Sequence, residues 1–258
     1  MMSGIQKSII EPKISILMAT WNCCDLLSQF LRSLQHQNAL DWELLILDNC
    51  SCDGLPQLVS QYQESHPHQS IRFTSQADSG IYDAWNRGVE LARGTYVCFI
   101  GADDTFVSSD ALHHLLNLTS SACDLITCRN SYYSSDGRFL REWGSPWRWR
   151  RMRESMNIAH PGMLVRRDLF FRYGLFDASF KICGDYEWFL RLPPTLRAIH
   201  SDTSILKIVQ AGVSHTKIGS VYSETFRAQS RHLNIFWCSG CWMLNWLKYV
   251  RRLLIGLV

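Results

Sequence analysis

The stretch Tyr96-Val-Cys-Phe-Ile-Gly-Ala-Asp103-Asp104 joins a short apolar run to a pair of carboxylates. Residues 96–100 have the length and composition of a buried β-strand, and an acidic loop follows at once. A polar loop in this place is typical of open α/β sheets, whose ligands bind outside the carboxyl ends of the strands. The fold prediction therefore depends on whether the preceding residues supply parallel neighbours.

The residues before this strand repeat a strand–helix pattern. Residues 14–18, 43–47 and 71–74 are predicted strands, and apolar side chains at helical spacing follow each of them. The third of these helices is predicted to end at Gly94. Three strand–helix–strand units in a row predict an α/β fold with a Rossmann-like, mostly parallel sheet flanked by helices.

Polar side chains follow all four predicted strands, namely Thr20, Asp48, Asp78 and Asp103. The carboxyl ends of parallel strands lie along one edge of a sheet, so we expect these four loops to converge on one site. Loops between strands and helices are commonly polar, which accounts for any one of the four. It accounts less well for carboxylates at three of them.

The acidic loops favour one kind of nucleotide chemistry over two others. The chain lacks G-x-G-x-x-G after the first strand and lacks G-x-x-x-x-G-K-[ST] throughout, which disfavours a dinucleotide dehydrogenase and a P-loop NTPase. Carboxylates repel phosphate unless a divalent cation lies between them, and Mg²⁺ is typically held by one or two carboxylates plus substrate phosphates. Asp103 and Asp104 suit that role, although either could instead cap the helix predicted near Asp110.

Composition narrows the class of protein and its compartment. The chain has 258 residues, with 26 Lys plus Arg against 23 Asp plus Glu, and the net charge of +3 disfavours a nucleic-acid partner. Several of the ten cysteines, such as Cys98, lie in apolar runs, and residues 1–13 are too polar for a secretory signal. We therefore expect free thiols and a cytoplasmic location. Cys238 and Cys241 form a C-x-x-C pair without a second pair, so structural zinc is not expected.

Several motifs together resemble those of family 2 glycosyltransferases. The matching blocks are ISILMATWN (14–22), ELLILDNCSCDG (43–54), DSGIYDAWNRG (78–88), FIGADD (99–104) and GLFDASFKICGDYEWFLR (174–191). Their order and spacing agree with that family over residues 13–215. The resemblance implies a GT-A fold and an inverting enzyme that uses a nucleotide-diphosphate sugar.

The resemblance also implies roles for individual residues. The implied nucleotide-contacting set is Thr20, Asp48, Asn49, Asp83, Asn86 and Asp103. Asp104 would bind Mg²⁺ or Mn²⁺, with His215 as a second metal ligand, and Asp185 would be the catalytic base. The resemblance favours a UDP-sugar as the donor. Many members have a second Asp where this chain has Asn49, and this difference leaves the identity of the nucleotide base open.

Asp185 and His160 could each have a structural role instead of a functional one. Asp185 and Glu187 are two positions apart, so on a helix they face different ways and only one should reach the acceptor. Asp185 also fits an acidic residue that merely favours a helix N-terminus. His160, just before a predicted strand, either touches the acceptor side of the site or is a structural histidine.

Two basic, aromatic segments suggest surface contacts. Residues 147–153 could stack on a sugar, bind a lipid diphosphate or meet an anionic membrane, or could form a solvated basic helix. The longest uncharged stretch in the region of residues 234–258 is shorter than a membrane-spanning helix needs. The segment is predicted to form an amphipathic helix. That helix would attach peripherally to the inner face of the membrane, or pack on its own domain or on a partner subunit.

The function predicted from these observations is transfer of a sugar from a nucleotide-diphosphate sugar to a glycan or lipid-linked acceptor in cell-surface polysaccharide biosynthesis. The predicted organisation is an N-terminal extension (1–12), a nucleotide-sugar half (13–120), an acceptor half (121–233) and the tail (234–258). Two alternatives are a nucleotidyltransferase of related fold and an inactive membrane-associated glycan-binding protein. The first alternative usually needs a glycine-rich, basic loop after the first strand, and residues 19–22 do not supply one.

Overall fold

The computed structural model of the chain describes residues 11–119, 123–210 and 217–233. Within these ranges the strands form one continuous nine-stranded sheet with helices on both faces. The predicted α/β class is confirmed. The predicted tail helix, 234–258, and most of the N-terminal extension lie outside the described residues.

The first four strands are parallel, as predicted. They are β1 (Ile14–Thr20), β2 (Trp42–Asp48), β3 (Ile71–Ser75) and β4 (Tyr96–Phe99), in the spatial order β3-β2-β1-β4. Thr20 pairs with Asp48, and Asp48 pairs with Ser75, so the carboxyl ends of β1, β2 and β3 are level. This register brings the predicted polar loops to one edge of the sheet.

Three helices connect these strands and cover both faces of the sheet. They are α1 (Cys24–Leu34), α2 (Leu55–Ser65) and α3 (Ile81–Leu91). Alternate residues of a strand point to opposite faces, so Ile16 packs with α1 and α2 whereas Leu17 packs with α3. The third helix ends at Leu91, so the predicted end at Gly94 is wrong.

The strands after β4 extend the sheet with mixed directions. They are β5 (Thr105–Phe106), which still lies in the predicted nucleotide-sugar half, followed by β6 (Leu125–Tyr133), β7 (Phe139–Trp143), β8 (Leu164–Arg166) and β9 (Ala198–Val209). The order continues β4-β8-β6-β9-β5, and β7 pairs with residues 130–133 of β6, beyond the two residues of β6 that pair with β8. Strand β8 is antiparallel to both of its neighbours, while β6 and β9 are parallel. The two predicted halves thus share one sheet, and the boundary at residue 120 stays a prediction.

Five more helices complete the described fold. They are α4 (Ala111–Leu118), α5 (Trp149–Met152), α6 (Asp168–Tyr173), α7 (Gly184–Arg191) and α8 (Ile218–His232). The core residues of α6 and α7 join the cluster on the α3 side of the sheet, where Trp188 stacks on Phe170 with ring centroids 4.2 Å apart. In the described ranges, the helices are all too short or too polar to cross a membrane.

Candidate active site

A cavity of about 630 Å³ opens beyond the carboxyl end of β4. Its wall includes Asp103 and Asp104, from the loop after β4, and Asp185, from the first turn of α7. His160 and Arg141 also line it. The fold thus brings three of the predicted carboxylates to one cavity, although more than eighty positions separate the third from the other two.

A tight turn after β4 holds the carboxylate pair. The Asp104 backbone N–H donates to Gly101 O at 3.2 Å, and the Gly101 N–H donates to Asp104 Oδ2 at 2.9 Å. A Cβ at position 101 would lie 2.5 Å from Asp103 Oδ1, so only glycine leaves room for this arrangement. The sequence of the turn therefore fixes where both carboxylates lie.

Asp104 is buried in an unfavourable environment for a negative charge. Burial, followed by the charge of Asp103, raises the pKa of Asp104 to about 8, although the Gly101 N–H acts in the opposite direction. A cation beside the two carboxylates would remove much of that penalty. The pair is therefore suited to a metal rather than to a helix-capping role.

The donor set fits a hard divalent cation that shares its coordination with phosphate. In the described ranges, three or more His, Cys, Asp or Glu side chains do not gather at any one metal-sized site. Mg²⁺ typically takes one or two carboxylates and leaves other positions to water and substrate phosphates, which is what Asp103 and Asp104 offer. His215 lies outside the described residues, so its predicted role stays a prediction.

Asp185 faces the cavity and is held at both oxygens. Its Oδ1 accepts from the Tyr186 backbone N–H at 2.8 Å and lies 3.1 Å from the Tyr82 hydroxyl. Its Oδ2 lies 3.4 Å from Nδ1 of the buried His160. This arrangement leaves Asp185 17% exposed, so a substrate hydroxyl can reach the carboxylate.

Glu187 faces away from the cavity, in keeping with its spacing from Asp185. Its buried carboxylate forms an ion pair with Arg191 on its own helix. Its Oε1 also lies 2.6 Å from His232 Nε2 of α8. Burial opposes ionisation of Glu187, but the contacts with His232 and Arg191 outweigh it and lower the pKa. Glu187 therefore joins α7 to α8.

The first two strand ends form a linked polar cluster. Asp48 is fully buried and accepts from Thr20 Oγ1 at 3.1 Å, from Ser51 Oγ and N–H at 2.5 and 2.9 Å, and from Ser75 Oγ at 2.7 Å. The neighbouring Asn49 Oδ1 accepts from the Asp78 N–H at 3.0 Å. Asp48 thus joins the ends of three strands, and its predicted contact with a base stays a prediction.

The polar cluster lies close to the acidic turn. Burial raises the pKa of the Cys23 thiol, and the charges of Asp53, Asp48 and Asp103 raise it further. Cys23 follows β1, and these interactions place it near carboxylates that follow β2 and β4. Thr20, Asp48 and Asp78 do not line the cavity that contains Asp103, so the convergence of all four loops on one binding site stays a prediction.

Asp83 and Asn86, on α3, already have protein partners. Asp83 accepts from the Ser79 backbone N–H at 2.9 Å, and this bond leads the interactions that lower its pKa. Asn86 exchanges two hydrogen bonds of 2.9 Å with the backbone of Phe176. Asp83 therefore holds the loop before α3, and Asn86 holds the backbone at Phe176. Their predicted contacts with the base and ribose stay a prediction.

The sequence analysis missed three residues at this site. Tyr82 donates to Ile182 O at 2.6 Å, and Glu224 of α8 accepts from the backbone N–H groups of residues 181, 182 and 183 at 2.8–2.9 Å. Arg141 reaches the cavity from β7. Tyr82 lies inside a matching block, whereas Glu224 and Arg141 have no local pattern that would mark them.

A parallel sheet with an acidic carboxyl edge, facing a carboxylate from a second segment, defines the class of α/β enzymes that bind a substrate across that edge. The family model for Glycosyl transferase family 2 matches residues 15–178. The chain belongs to that family. Membership favours a glycosyltransferase over the alternative of a nucleotidyltransferase.

Known proteins similar to this chain agree with that membership. A "PGL/p-HBAD biosynthesis glycosyltransferase" of Mycobacterium bovis is 29% identical over 182 residues, which cover 70% of this chain and 69% of the relative. The structure of S. aureus TarS with UDP-GlcNAc has a TM-score of 0.68 at 17% identity, covering 89% of this chain and 70% of TarS. The mannosyltransferase PcManGT of Pyrobaculum calidifontis, with GDP-Man and Mn²⁺, has a TM-score of 0.64 at 18% identity, covering 88% and 66%. The fold is that of the GT-A glycosyltransferases.

Proposed function

We propose that the protein is an inverting, divalent-cation-dependent glycosyltransferase that moves a sugar from a nucleotide-diphosphate sugar to a hydroxyl of a glycan or lipid-linked acceptor. We place this reaction in cell-surface polysaccharide biosynthesis. The observation that carries the proposal is the shared cavity, in which Asp103 and Asp104 lie on one side and Asp185 on another.

Asp103 and Asp104 would serve the donor. A divalent cation held there would supply electrostatic stabilisation of the departing diphosphate. The raised pKa of Asp104 supports a cation at this position, because burial and the charge of Asp103 both disfavour its anionic form. The similar structures, one with UDP-GlcNAc and another with GDP-Man and Mn²⁺, support a nucleotide-sugar donor. We favour a UDP-sugar, and Asn49 keeps the base open.

Asp185 would serve the acceptor as a general base. It takes the proton of the acceptor hydroxyl as that oxygen bonds to the anomeric carbon, while the bond from this carbon to the diphosphate oxygen breaks. Attack from the face opposite the leaving group inverts the anomeric configuration. The Tyr186 backbone N–H holds the carboxylate on the side of Oδ1.

The test is nucleotide release from a panel of UDP-, GDP- and dTDP-sugars, with Mn²⁺ or with EDTA. We expect one donor to turn over with Mn²⁺, EDTA to abolish turnover, and Asp185→Asn to lower kcat by about 10²-fold or more. The exposed Asp202→Asn is the matched control and should keep normal kcat. Donor binding without turnover across the panel would favour the inactive glycan-binding alternative.

The membrane contact of residues 234–258 is a separate proposal. It rests on the aromatic and basic residues of that segment, such as Trp242, Trp246 and Arg251. We expect removal of the segment to reduce recovery with anionic vesicles. Unchanged recovery would contradict the proposal without affecting the proposed reaction.

A further inference from the structure

We propose that His160 is a positioning residue for the catalytic base: its Nδ1–H donates to Asp185 Oδ2 and keeps this carboxylate directed into the cavity. This inference rests on the proposed function of Asp185. It assigns a role to the histidine whose part in the site the sequence left open.

The two side chains meet from segments that are far apart in the fold. His160 precedes β8, whereas Asp185 lies in the first turn of α7, and both line the cavity. Nδ1 and Oδ2 are 3.4 Å apart, and His160 is only 6% exposed. Water therefore competes little for the histidine side of this contact.

Asp185 Oδ2 depends on His160 more than Oδ1 depends on Tyr82. The Tyr82 hydroxyl has one proton, and Ile182 O, at 2.6 Å, is a closer acceptor than Asp185 Oδ1, at 3.1 Å. Oδ1 also receives the Tyr186 backbone N–H. His160 is the side-chain donor that the described contacts provide for Oδ2.

Aromatic rings hold the imidazole in one orientation. Phe99 stacks on it with centroids 5.1 Å apart, and Trp85, Phe176 and Phe189 contact it edge-on at 5.3–6.4 Å. A ring packed in this way cannot turn to follow Asp185. It therefore restricts the carboxylate instead.

The surroundings of the ring also select its protonation state. Burial lowers the pKa of His160, although the charge of Asp185 acts in the opposite direction, so the ring is neutral near pH 7. Nε2 is buried and lacks a hydrogen-bond partner among the described residues. A buried, unpaired N–H is costly, so the single ring proton belongs on Nδ1, opposite Asp185.

Other ionisable groups that contact Asp185 or line the same cavity come from six parts of the fold. They are Tyr82 on α3, Asp103 and Asp104 after β4, Tyr132 and Arg141 on β6 and β7, Cys183 and Tyr186 at α7, and Tyr222 on α8. Burial raises the pKa values of Tyr82, Tyr132 and Cys183, so these three stay neutral through neutral pH. Under the proposed function, Asp103 and Asp104 would hold the Mn²⁺ that saturates the assay.

The test compares His160→Leu with His160→Asn, using the nucleotide sugar that turns over in the donor panel and water or a phenyl glycoside as acceptor. Asn places an N–H donor near the position of Nδ1, whereas Leu does not. We expect Leu to lower kcat about ten-fold or more with donor KM changed less than about two-fold, and Asn to restore most of kcat. The half-buried His114→Leu, outside the cavity, is the control and should keep normal kcat.

Rescue by Asn is a readout that a merely structural role would not produce, because Asn and Leu fill similar volumes but only Asn supplies an N–H donor. Equal losses of kcat in the Leu and Asn variants at equal thermal stability would overturn the proposal.

A measurement without turnover separates this inference from the proposed function. In a long-range ¹H–¹⁵N spectrum of the wild-type protein at pH 7, we expect His160 to be neutral with its proton on Nδ1. A proton on Nε2 would overturn the proposal even in an active enzyme. A proton on Nδ1 in a protein that turns over no donor would support the His160–Asp185 contact while the proposed function failed.

Discussion

The acidic residues at this site differ in how many protein donors their carboxylates already have. Asp48 accepts four hydrogen bonds, from Thr20, Ser51 and Ser75, whereas Asp104 is also buried and accepts one, from Gly101. A buried carboxylate with few donors is poorly stabilised as an anion. At the scale of the residue, Asp104 is therefore the group whose charge most needs a cation.

This difference predicts how stability responds to pH in EDTA. The pKa of Asp104 is about 8 in the folded protein against an ordinary value of 3.8, so the folded state binds a proton that the unfolded state releases. Stability should therefore fall as pH rises from about 4 to 8, by an amount on the order of a few kcal/mol. Urea unfolding of wild type and Asp104→Asn across this range measures it, and the variant should lack the fall.

Mn²⁺ provides the matching control for Asp104. Binding to the folded state alone should raise the urea midpoint of the wild type at pH 8 and leave that of Asp104→Asn nearly unchanged. Equal stabilisation of both proteins would place the cation elsewhere.

At the scale of the element, the site depends on how closely α3 and α8 approach their neighbours. Gly88 of α3 lies against β1 and β2, where an added Cβ would be 2.6 Å from Leu47 Cδ1 and 3.2 Å from Leu17 Cδ1. Helix α8 reaches the loop before α7 through Glu224. Both contacts position residues near the cavity without touching it.

Gly88→Ala should move α3 away from the sheet. We expect the free energy of unfolding to fall by about 1–3 kcal/mol, because the buried leucines must shift to admit a methyl group. Gly219→Ala on α8, where a Cβ meets nothing within 4 Å, is the control and should be neutral or stabilising. Similar urea midpoints for the two variants would show that α3 can adjust without strain.

Glu224→Gln should disturb the loop that leads into Asp185. The amide keeps one acceptor oxygen and turns an NH₂ group toward backbone N–H donors, so we expect a loss of about 1–3 kcal/mol in stability and a several-fold lower kcat. Glu90→Gln, at an exposed position of α3, is the control. Unchanged kcat in Glu224→Gln would mean that α8 does not help to place the base.

At the scale of the whole molecule, one sheet runs through both predicted halves. Strand β4 of the first half pairs with β8 of the second, and core residues of both halves share the cluster on the α3 side. We expect residues 13–233 to unfold as one cooperative unit, with coincident urea transitions by tryptophan fluorescence and far-ultraviolet circular dichroism. Two separated transitions would show that the halves fold independently.

Local patterns in the sequence were sufficient to predict the α/β class, the four parallel strands and the carboxylates that follow them. These follow from local periodicity and from turn residues such as those of 101–104, which act over a few positions. The prediction that the third helix ends at Gly94 was wrong because this glycine is required by a contact with β1 and not by the helix end. A Cβ at position 94 would lie 2.6 Å from the Ser15 backbone nitrogen.

Which polar groups already have protein partners depends on contacts between distant segments. Asn86 donates to Phe176 O, Tyr82 donates to Ile182 O, and Asp185 contacts His160. These partners are far apart in the sequence, so no local pattern predicts the contacts. The antiparallel pairing of β8 with β4 and β6 likewise could not be predicted from local patterns. Local patterns place a side chain at an edge of the sheet, but packing between distant segments determines what it can bind there.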